Sequence, residues 1–149
     1  MAGIVITHGT DTLEETAAFL HFTQAAAIPV VMTAAMRPAT SLSADGPLNL
    51  LDAVRVAASQ QARGQGVLVV LNQQVHAARD VTKAHTSAVD AFVSPGAGPI
   101  GYVQDAFVRF TREPLGTNAA RLPIPAAWPT VEIVVSYAEP SRIAVDALV

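Results

Sequence analysis

Three short runs of aliphatic, mostly β-branched residues most strongly constrain the fold of this 149-residue chain, and longer segments with helical periodicity separate them. The runs are 3–7, 30–32 and 67–71. Each is apolar throughout, as expected of strands that are buried on both faces. Apolar residues recurring every three to four positions predict helices from residue 13 to about residue 26 and over 49–61. This alternation predicts an α/β fold, in which helices flank both faces of a parallel sheet.

Individual residues predict where the two helices begin and end. Thr12-Leu13-Glu14-Glu15 fits a capping box, with Thr12 as the N-cap and Glu15 three positions later. Pro29 cannot continue the first helix. The second helix is expected to end before Gly64 and Gly66 and to turn four side chains toward the core: Leu50, Leu51, Val54 and Ala57.

The pattern changes toward the C-terminus. A hairpin turning at Asp105-Ala106 is expected to join strands over 102–104 and 107–110. Four of the ten prolines fall between residues 111 and 130, which is typical of a linker. A new strand over 131–135 and a helix over 141–149 follow. We therefore expect three parts, at 1–111, 112–130 and 131–149.

Composition excludes several classes of protein. With 51% hydrophobic residues and a net charge of −3, the chain does not fit intrinsic disorder. Nine Lys and Arg against twelve Asp and Glu, without a basic cluster, disfavour a nucleic-acid partner. No apolar run reaches eighteen residues and no signal-peptide pattern is visible, so no membrane span or export signal is expected. The 14% of charged residues is low against a typical value of about 25%.

The loops that follow the three predicted strands carry the candidate functional residues. Sites in parallel sheets lie beyond the carboxyl ends of the strands, so segments 8–11, 34–36 and 72–83 should converge. In the first segment, Thr10 and Asp11 precede a helix N-terminus, whose free N–H groups bind anions. Lys83, the only lysine, could transfer protons there. Simple turn and capping residues and a solvated lysine remain the alternatives.

Metal and nucleotide sites lack support. The four histidines have no metal-ligand spacing, and no cysteine is present. Neither a Gly-x-Gly-x-x-Gly loop nor a Gly-x-Ser-x-Gly elbow occurs.

Gly3-Ile4-Val5-Ile6-Thr7-His8-Gly9-Thr10-Asp11-Thr12-Leu13 resembles the second active-site signature of the bacterial L-asparaginase/glutaminase family. The resemblance is closest to the type II branch of that family. Five further blocks match the family in order, at 29–38, 43–50, 66–72, 79–83 and 98–102. The resemblance implies that residues 1–111 are part of the large, Rossmann-like catalytic domain. It implies that 131–149 are the first strand and helix of a small second α/β domain.

The resemblance also implies residue roles. Thr10, Asp11 and Lys83 resemble a catalytic triad in which the lysine and aspartate tune the threonine hydroxyl. Asp11 resembles the residue that holds the substrate α-amino group, Gly9 and Thr10 line the pocket near the substrate carboxylate, and the Ala35 carbonyl resembles the contact to the side-chain amide. The implied reaction is hydrolysis of L-asparagine to L-aspartate and ammonia, without metal or cofactor, by a homotetramer of periplasmic or secreted type.

Four family features are missing from these 149 residues: a Thr-Gly-Gly-Thr-Ile strand carrying the usual nucleophile, the mobile loop with a tyrosine that follows it, a Ser-Gln substrate-binding pair, and an acidic residue lent between subunits. We therefore expect an internal fragment with little activity of its own and with apolar surface exposed at 4–7 and 131–135. A glutaminase-asparaginase, a relative acting on another amide, and a non-catalytic truncated remnant are the alternatives.

Overall fold

The computed structural model describes residues 2–25, 27–114 and 121–148, and its centre is a six-stranded sheet. Strands β1 (Ile4–Thr7), β2 (Val30–Thr33) and β3 (Val67–Leu71) are parallel neighbours, with Thr7 opposite Thr33. Their residues match the three apolar runs, so the predicted strands and their parallel pairing are confirmed.

The second half of the sheet is antiparallel, so the sheet as a whole is mixed, and the predicted parallel pairing holds for β1, β2 and β3. Strand β4 (Gln74–Ala77) pairs antiparallel with β3, because Asn72 and Gln73 adopt positive φ and form a two-residue turn. The sequence predicts a loop over 72–83, but this segment contains β4 and the two-residue strand β5 (Thr82–Lys83).

Three further strands complete the described β-structure. Strand β5 pairs with β6 (Phe92–Val93) in a small separate sheet. Strands β7 (Gly101–Gln104) and β8 (Phe107–Phe110) form the predicted hairpin, which turns at Asp105-Ala106 and joins the large sheet through β4.

A helix covers each face of the sheet, as predicted. Helix α1 (Leu13–Thr23) packs Leu13 and Ala17 against one face, whereas α2 (Gly46–Ala58) packs Ala53, Val56 and Ala57 against the other. Helix α1 ends slightly before the predicted boundary, which lies at residue 26, outside the described residues. Thr12 is the N-cap, but its side chain makes no capping hydrogen bond, so the predicted capping box does not form.

The predicted orientation of α2 is wrong for three of four residues. Leu50, Leu51 and Val54 are 44–48% exposed, and only Ala57 of the predicted set is buried. The buried face contains the small residues Ala53 and Ala57, Val56, and the polar residues Asn49 and Asp52. Small side chains let the helix approach the sheet closely, and the leucines are left on the outer side. The helix also begins three residues earlier than predicted, and a short 3₁₀ turn (Gln60–Ala62) follows it.

The C-terminal segment lacks the predicted strand. Residues 131–135 form no strand, and the helix is limited to α3 (Ile143–Asp146). A strand requires a hydrogen-bonding neighbour, and no described residue pairs with this segment. The predicted exposure of apolar side chains is confirmed, at Ile4 and, more fully, at Val131, Ile133 and Val135. Residues 115–120 of the expected linker lie outside the described residues.

Candidate active site

The loops after β1 and β2 lie side by side at the carboxyl edge of the sheet. The parallel register continues past the strands, since the His8 backbone N–H donates to the Thr33 carbonyl oxygen at 2.9 Å. Gly9, Thr10 and Asp11 occupy the first loop, directly before α1, and Ala35 lies in the second. This edge therefore brings the two candidate loops together.

Lys83 joins Thr10 and Asp11 across more than seventy residues of sequence. Its Nζ donates to Thr10 Oγ1 at 2.9 Å and to Asp11 Oδ1 at 2.7 Å. The Lys83 side chain is only 18% exposed, whereas that of Asp11 is 93% exposed. The hydrogen bond from Lys83 and its positive charge hold the pKa of Asp11 below the usual 3.8, against a small opposing effect of burial. Asp11 is therefore an open carboxylate beside a partly enclosed amine.

An open depression adjoins this cluster. Its volume is about 440 Å³, and Asp11, Lys83, Ala84, His85 and Thr86 line it. In the described ranges, no three His, Asp or Glu side chains are arranged to hold a metal ion. The depression is large enough for a molecule the size of an amino acid.

Glu14 connects α1 to the strand that carries Lys83. Its carboxylate accepts a hydrogen bond from Thr82 Oγ1 at 3.1 Å and another from the Lys83 backbone N–H. Sequence reasoning missed this residue, because it assigned the acidic first turn of α1 to a capping box with Glu15. The available signal was the second acid next to Glu15, which a capping box does not need.

The loop that carries Ala35 is fixed by the start of α2. The Asp45 carboxylate accepts from the backbone N–H groups of Met36 and Arg37, both at 2.9 Å. Burial raises the pKa of Asp45, but these backbone hydrogen bonds outweigh it and leave the pKa below 3.8. Asn49 Nδ2 donates to the Ala34 carbonyl oxygen at 3.0 Å. The residues on either side of Ala35 in the sequence are therefore held in place, and Ala35 itself is exposed.

Comparison with known proteins identifies the family. The family model described as Asparaginase, N-terminal matches residues 1–116. This chain belongs to the asparaginase family. The asparaginase match includes both loops, β5 and the whole six-stranded sheet.

Individual asparaginase relatives agree with this assignment. The chain is 49% identical over 139 residues to a probable periplasmic L-asparaginase of Haemophilus influenzae, covering 91% of this chain and 40% of that protein. It is 45% identical over 150 residues to a glutaminase-asparaginase of Pseudomonas fluorescens biotype A, covering 98% of this chain and 41% of that protein. The chain thus spans about 40% of the length of these curated relatives.

A solved asparaginase structure has the same fold. The crystal structure of a probable cytoplasmic L-asparaginase from Campylobacter jejuni superposes with a TM-score of 0.93 at 42% identity, covering 99% of this chain and 49% of that chain. The α/β fold expected from the sequence is confirmed. The names of these relatives include both a periplasmic and a cytoplasmic protein. Within the described ranges, every helix is too short or too polar to cross a membrane.

Proposed function

We propose that this chain supplies part of the active site of an asparaginase-type amidohydrolase, in which Thr10, Asp11 and Lys83 transfer protons. The observation that supports this proposal is the pair of hydrogen bonds from Lys83 Nζ to Thr10 Oγ1 and Asp11 Oδ1. A distance of 2.9 Å between amine and hydroxyl lies within the range for direct proton transfer.

The chemistry required is acyl transfer from an amide. A hydroxyl of the active site attacks the carbon of the substrate amide. The amide nitrogen takes up a proton and leaves as ammonia. Water then converts the acyl group to the carboxylic acid and frees the hydroxyl. With the amine unprotonated, Lys83 Nζ can accept the Thr10 proton, and the Asp11 carboxylate stabilises the ammonium that forms. The same proton can then pass to the leaving nitrogen.

The proposed substrate is L-asparagine. Gly9 and Thr10 lie before the N-terminus of α1, where free backbone N–H groups and the helix dipole favour a carboxylate. The exposed carboxylate of Asp11 suits the substrate ammonium, and the Ala35 carbonyl oxygen suits the side-chain amide. L-Glutamine is the second candidate substrate, because a relative at 45% identity is named glutaminase-asparaginase.

A chimera provides the test. Residues 1–149 would replace the aligned 41% of the Pseudomonas fluorescens glutaminase-asparaginase, and ammonia release would be measured with L-asparagine and L-glutamine. We expect turnover with L-asparagine, and a loss of about 10²- to 10⁴-fold in kcat on Lys83→Met, the range for general acid–base groups. Arg63→Met, a cation at an exposed position outside the site, is the control and should leave kcat unchanged. Turnover that survives Lys83→Met would refute the assigned roles.

The 149 residues alone are proposed to have negligible ammonia-releasing activity, because they contain no Thr-Gly-Gly-Thr-Ile motif. Turnover of the isolated chain equal to that of the chimera would contradict this. A non-catalytic remnant would instead give an inactive chimera that is nevertheless folded by circular dichroism.

The remaining features of the family are proposals of the same kind. The complete protein is proposed to be a homotetramer in the periplasm or outside the cell, with 1–111 in the catalytic domain, 112–130 as linker and 131–149 in a second domain. The exposed apolar side chains at Leu50, Leu51 and Val54 support self-association. Light scattering of the complete protein and fractionation of cells that express it would test these points.

A further inference from the structure

We propose that Glu14 is a positioning residue, whose carboxylate holds the backbone of β5 and thereby places the Lys83 amine against Thr10 and Asp11. The catalytic meaning of this role rests on the function proposed above. The role itself is structural and can be tested without turnover.

Few backbone hydrogen bonds of its own fix strand β5. It consists of Thr82 and Lys83 only and pairs with the equally short β6, outside the large sheet. So short a pair contributes few backbone hydrogen bonds, although Val81 and Phe92 beside it pack in the hydrophobic core. A carboxylate bound to the Lys83 backbone N–H is therefore a further constraint on where this residue sits.

Glu14 provides that anchor with both carboxylate oxygens. Oε1 accepts from the Thr82 hydroxyl at 3.1 Å, and Oε2 accepts from the Lys83 backbone N–H. Hydrogen bonds to a carboxylate are about twice as strong as those between neutral groups. Glu14 is partly buried, so bulk water competes less well for these contacts.

The anchor also belongs to the same rigid unit as the other two candidate residues. Glu14 lies in the first turn of α1, only three and four positions after Asp11 and Thr10. Lys83 is thus tied twice to one segment, by its backbone N–H to Glu14 and by its amine to Thr10 and Asp11. With the backbone fixed, the flexible lysine side chain has less freedom to leave the cluster.

The single lysine makes a direct measurement possible. Labelling the 149-residue chain with ¹⁵N-lysine gives one backbone amide signal, from the N–H that donates to Glu14. In Glu14→Gln, which keeps the size of the side chain, we expect this signal to shift upfield and its hydrogen exchange to accelerate about tenfold or more. Acetylation of the Lys83 amine, followed by mass spectrometry, should accelerate severalfold, because its side chain is only 18% exposed in the intact structure.

The matched control is Glu15→Gln. Glu15 lies in the same helical turn and is exposed, so the same change of charge there should move neither measurement. Thr82→Val removes only the hydroxyl contact and should produce a smaller acceleration of exchange. If Glu14→Gln unfolds the chain, Thr82→Val decides: an accelerated Lys83 amide supports the proposal, and an unchanged one overturns it.

Two results would overturn the positioning role. One is an unaltered Lys83 amide and amine in folded Glu14→Gln, and the other is an equal change in Glu15→Gln. Neither depends on ammonia release, so an inactive chimera leaves the positioning role standing. Conversely, the chimera could be active while Glu14→Gln leaves the Lys83 amide and amine measurements unchanged. That result would refute the positioning role and support the proposed function.

Discussion

Replacement of Asn49 tests how the loop that carries Ala35 is held. Asn49 is 2% exposed, and its amide group makes three hydrogen bonds. Nδ2 donates to the Ala34 carbonyl oxygen and to Asp45 Oδ2, both at 3.0 Å, and Oδ1 accepts from the Asn72 backbone N–H at 2.9 Å. The amide orientation is fixed by these partners, since two acceptors face Nδ2 and one donor faces Oδ1. One side chain thus links β2, α2 and the β3–β4 turn.

The cost of Asn49→Ala follows from these three contacts. Each hydrogen bond contributes about 0.5–1.5 kcal/mol net, and each buried group left unpaired costs about 1–3 kcal/mol. Because water can reach part of the loop, we expect a total loss of about 2–4 kcal/mol, at the upper end of ordinary point mutations. For a chain of this size that loss corresponds to a fall of about 5–15 °C in Tm.

Asn49→Asp sharpens the test. It keeps the acceptor for Asn72 but places a second carboxylate against Asp45 and the Ala34 carbonyl oxygen, where two donors are required. At pH 7 this variant should be at least as unstable as Asn49→Ala, and acidification should restore part of its stability, because protonation of one carboxyl relieves the repulsion.

The assay is urea unfolding followed by far-ultraviolet circular dichroism, with thermal unfolding as the second measurement. Gln60→Ala, at an exposed amide just after α2, is the control and should change the free energy of unfolding by less than about 0.5 kcal/mol. The reasoning fails if Asn49→Ala behaves like this control, or if Asn49→Asp is more stable than Asn49→Ala at pH 7.

Three further predictions concern stability and organisation. Burial, with a smaller effect of the Arg112 charge, lowers the pKa of His76 from 6.5 to about 4. Its neutral form therefore contributes stability that is complete above about pH 6.5 and is lost as the pH falls toward 4, and His76→Gln should reduce that loss by about 3 kcal/mol in unfolding titrations. An unchanged pH dependence would contradict this. Gly66→Ala should destabilise by about 2 kcal/mol or more, because the site combines φ of +79° with a new Cβ 2.6 Å from the His21 ring. Gly64→Ala, at φ of +76° with open space around it, should cost only about 1 kcal/mol, and equal losses in thermal unfolding would disprove the steric argument. Limited proteolysis should cut first on the C-terminal side of residue 111 and leave a resistant fragment over 1–111, whereas first cuts inside the sheet would refute the proposed division.

The meeting of Thr10 and Asp11 with Lys83 could be predicted only in outline. The rule that loops converge beyond the carboxyl ends of parallel strands places Thr10 and Asp11 correctly, because β1 and β2 are parallel. The position of Lys83 does not follow from this rule. The chain reverses after β3 and returns through the antiparallel strand β4 before it reaches β5, which carries Lys83. The sequence signal for this reversal is weak, because Asn-Gln lacks the glycine that most two-residue turns contain.

The orientation of α2 shows where hydrophobic periodicity fails. Leucines and valines occur on two sides of this helix, so the pattern alone allows more than one buried face. The observed choice buries Asn49 together with Ala53 and Val56, because the Asn49 amide satisfies backbone groups that would otherwise be unpaired. Such a polar interaction has no periodic signature. It depends on the positions of β2 and the β3–β4 turn, which the helix sequence does not contain.

Strand formation likewise depends on structure that lies outside the segment itself. The run 67–71 and the segment 107–110 each pair with a strand across a two-residue turn, and 67–71 pairs with β2 as well. The run 131–135 has comparable β-propensity, yet it stays irregular and exposed, since it pairs with neither of the edge strands of the large sheet, β1 and β8. Strand formation requires both propensity and a pairing edge, because unpaired backbone N–H and C=O groups remain better solvated by water. The unpaired segment also contributes to the low fraction of charged residues. Its apolar side chains Val131, Ile133 and Val135 lie on surface where a self-contained domain would carry charged side chains.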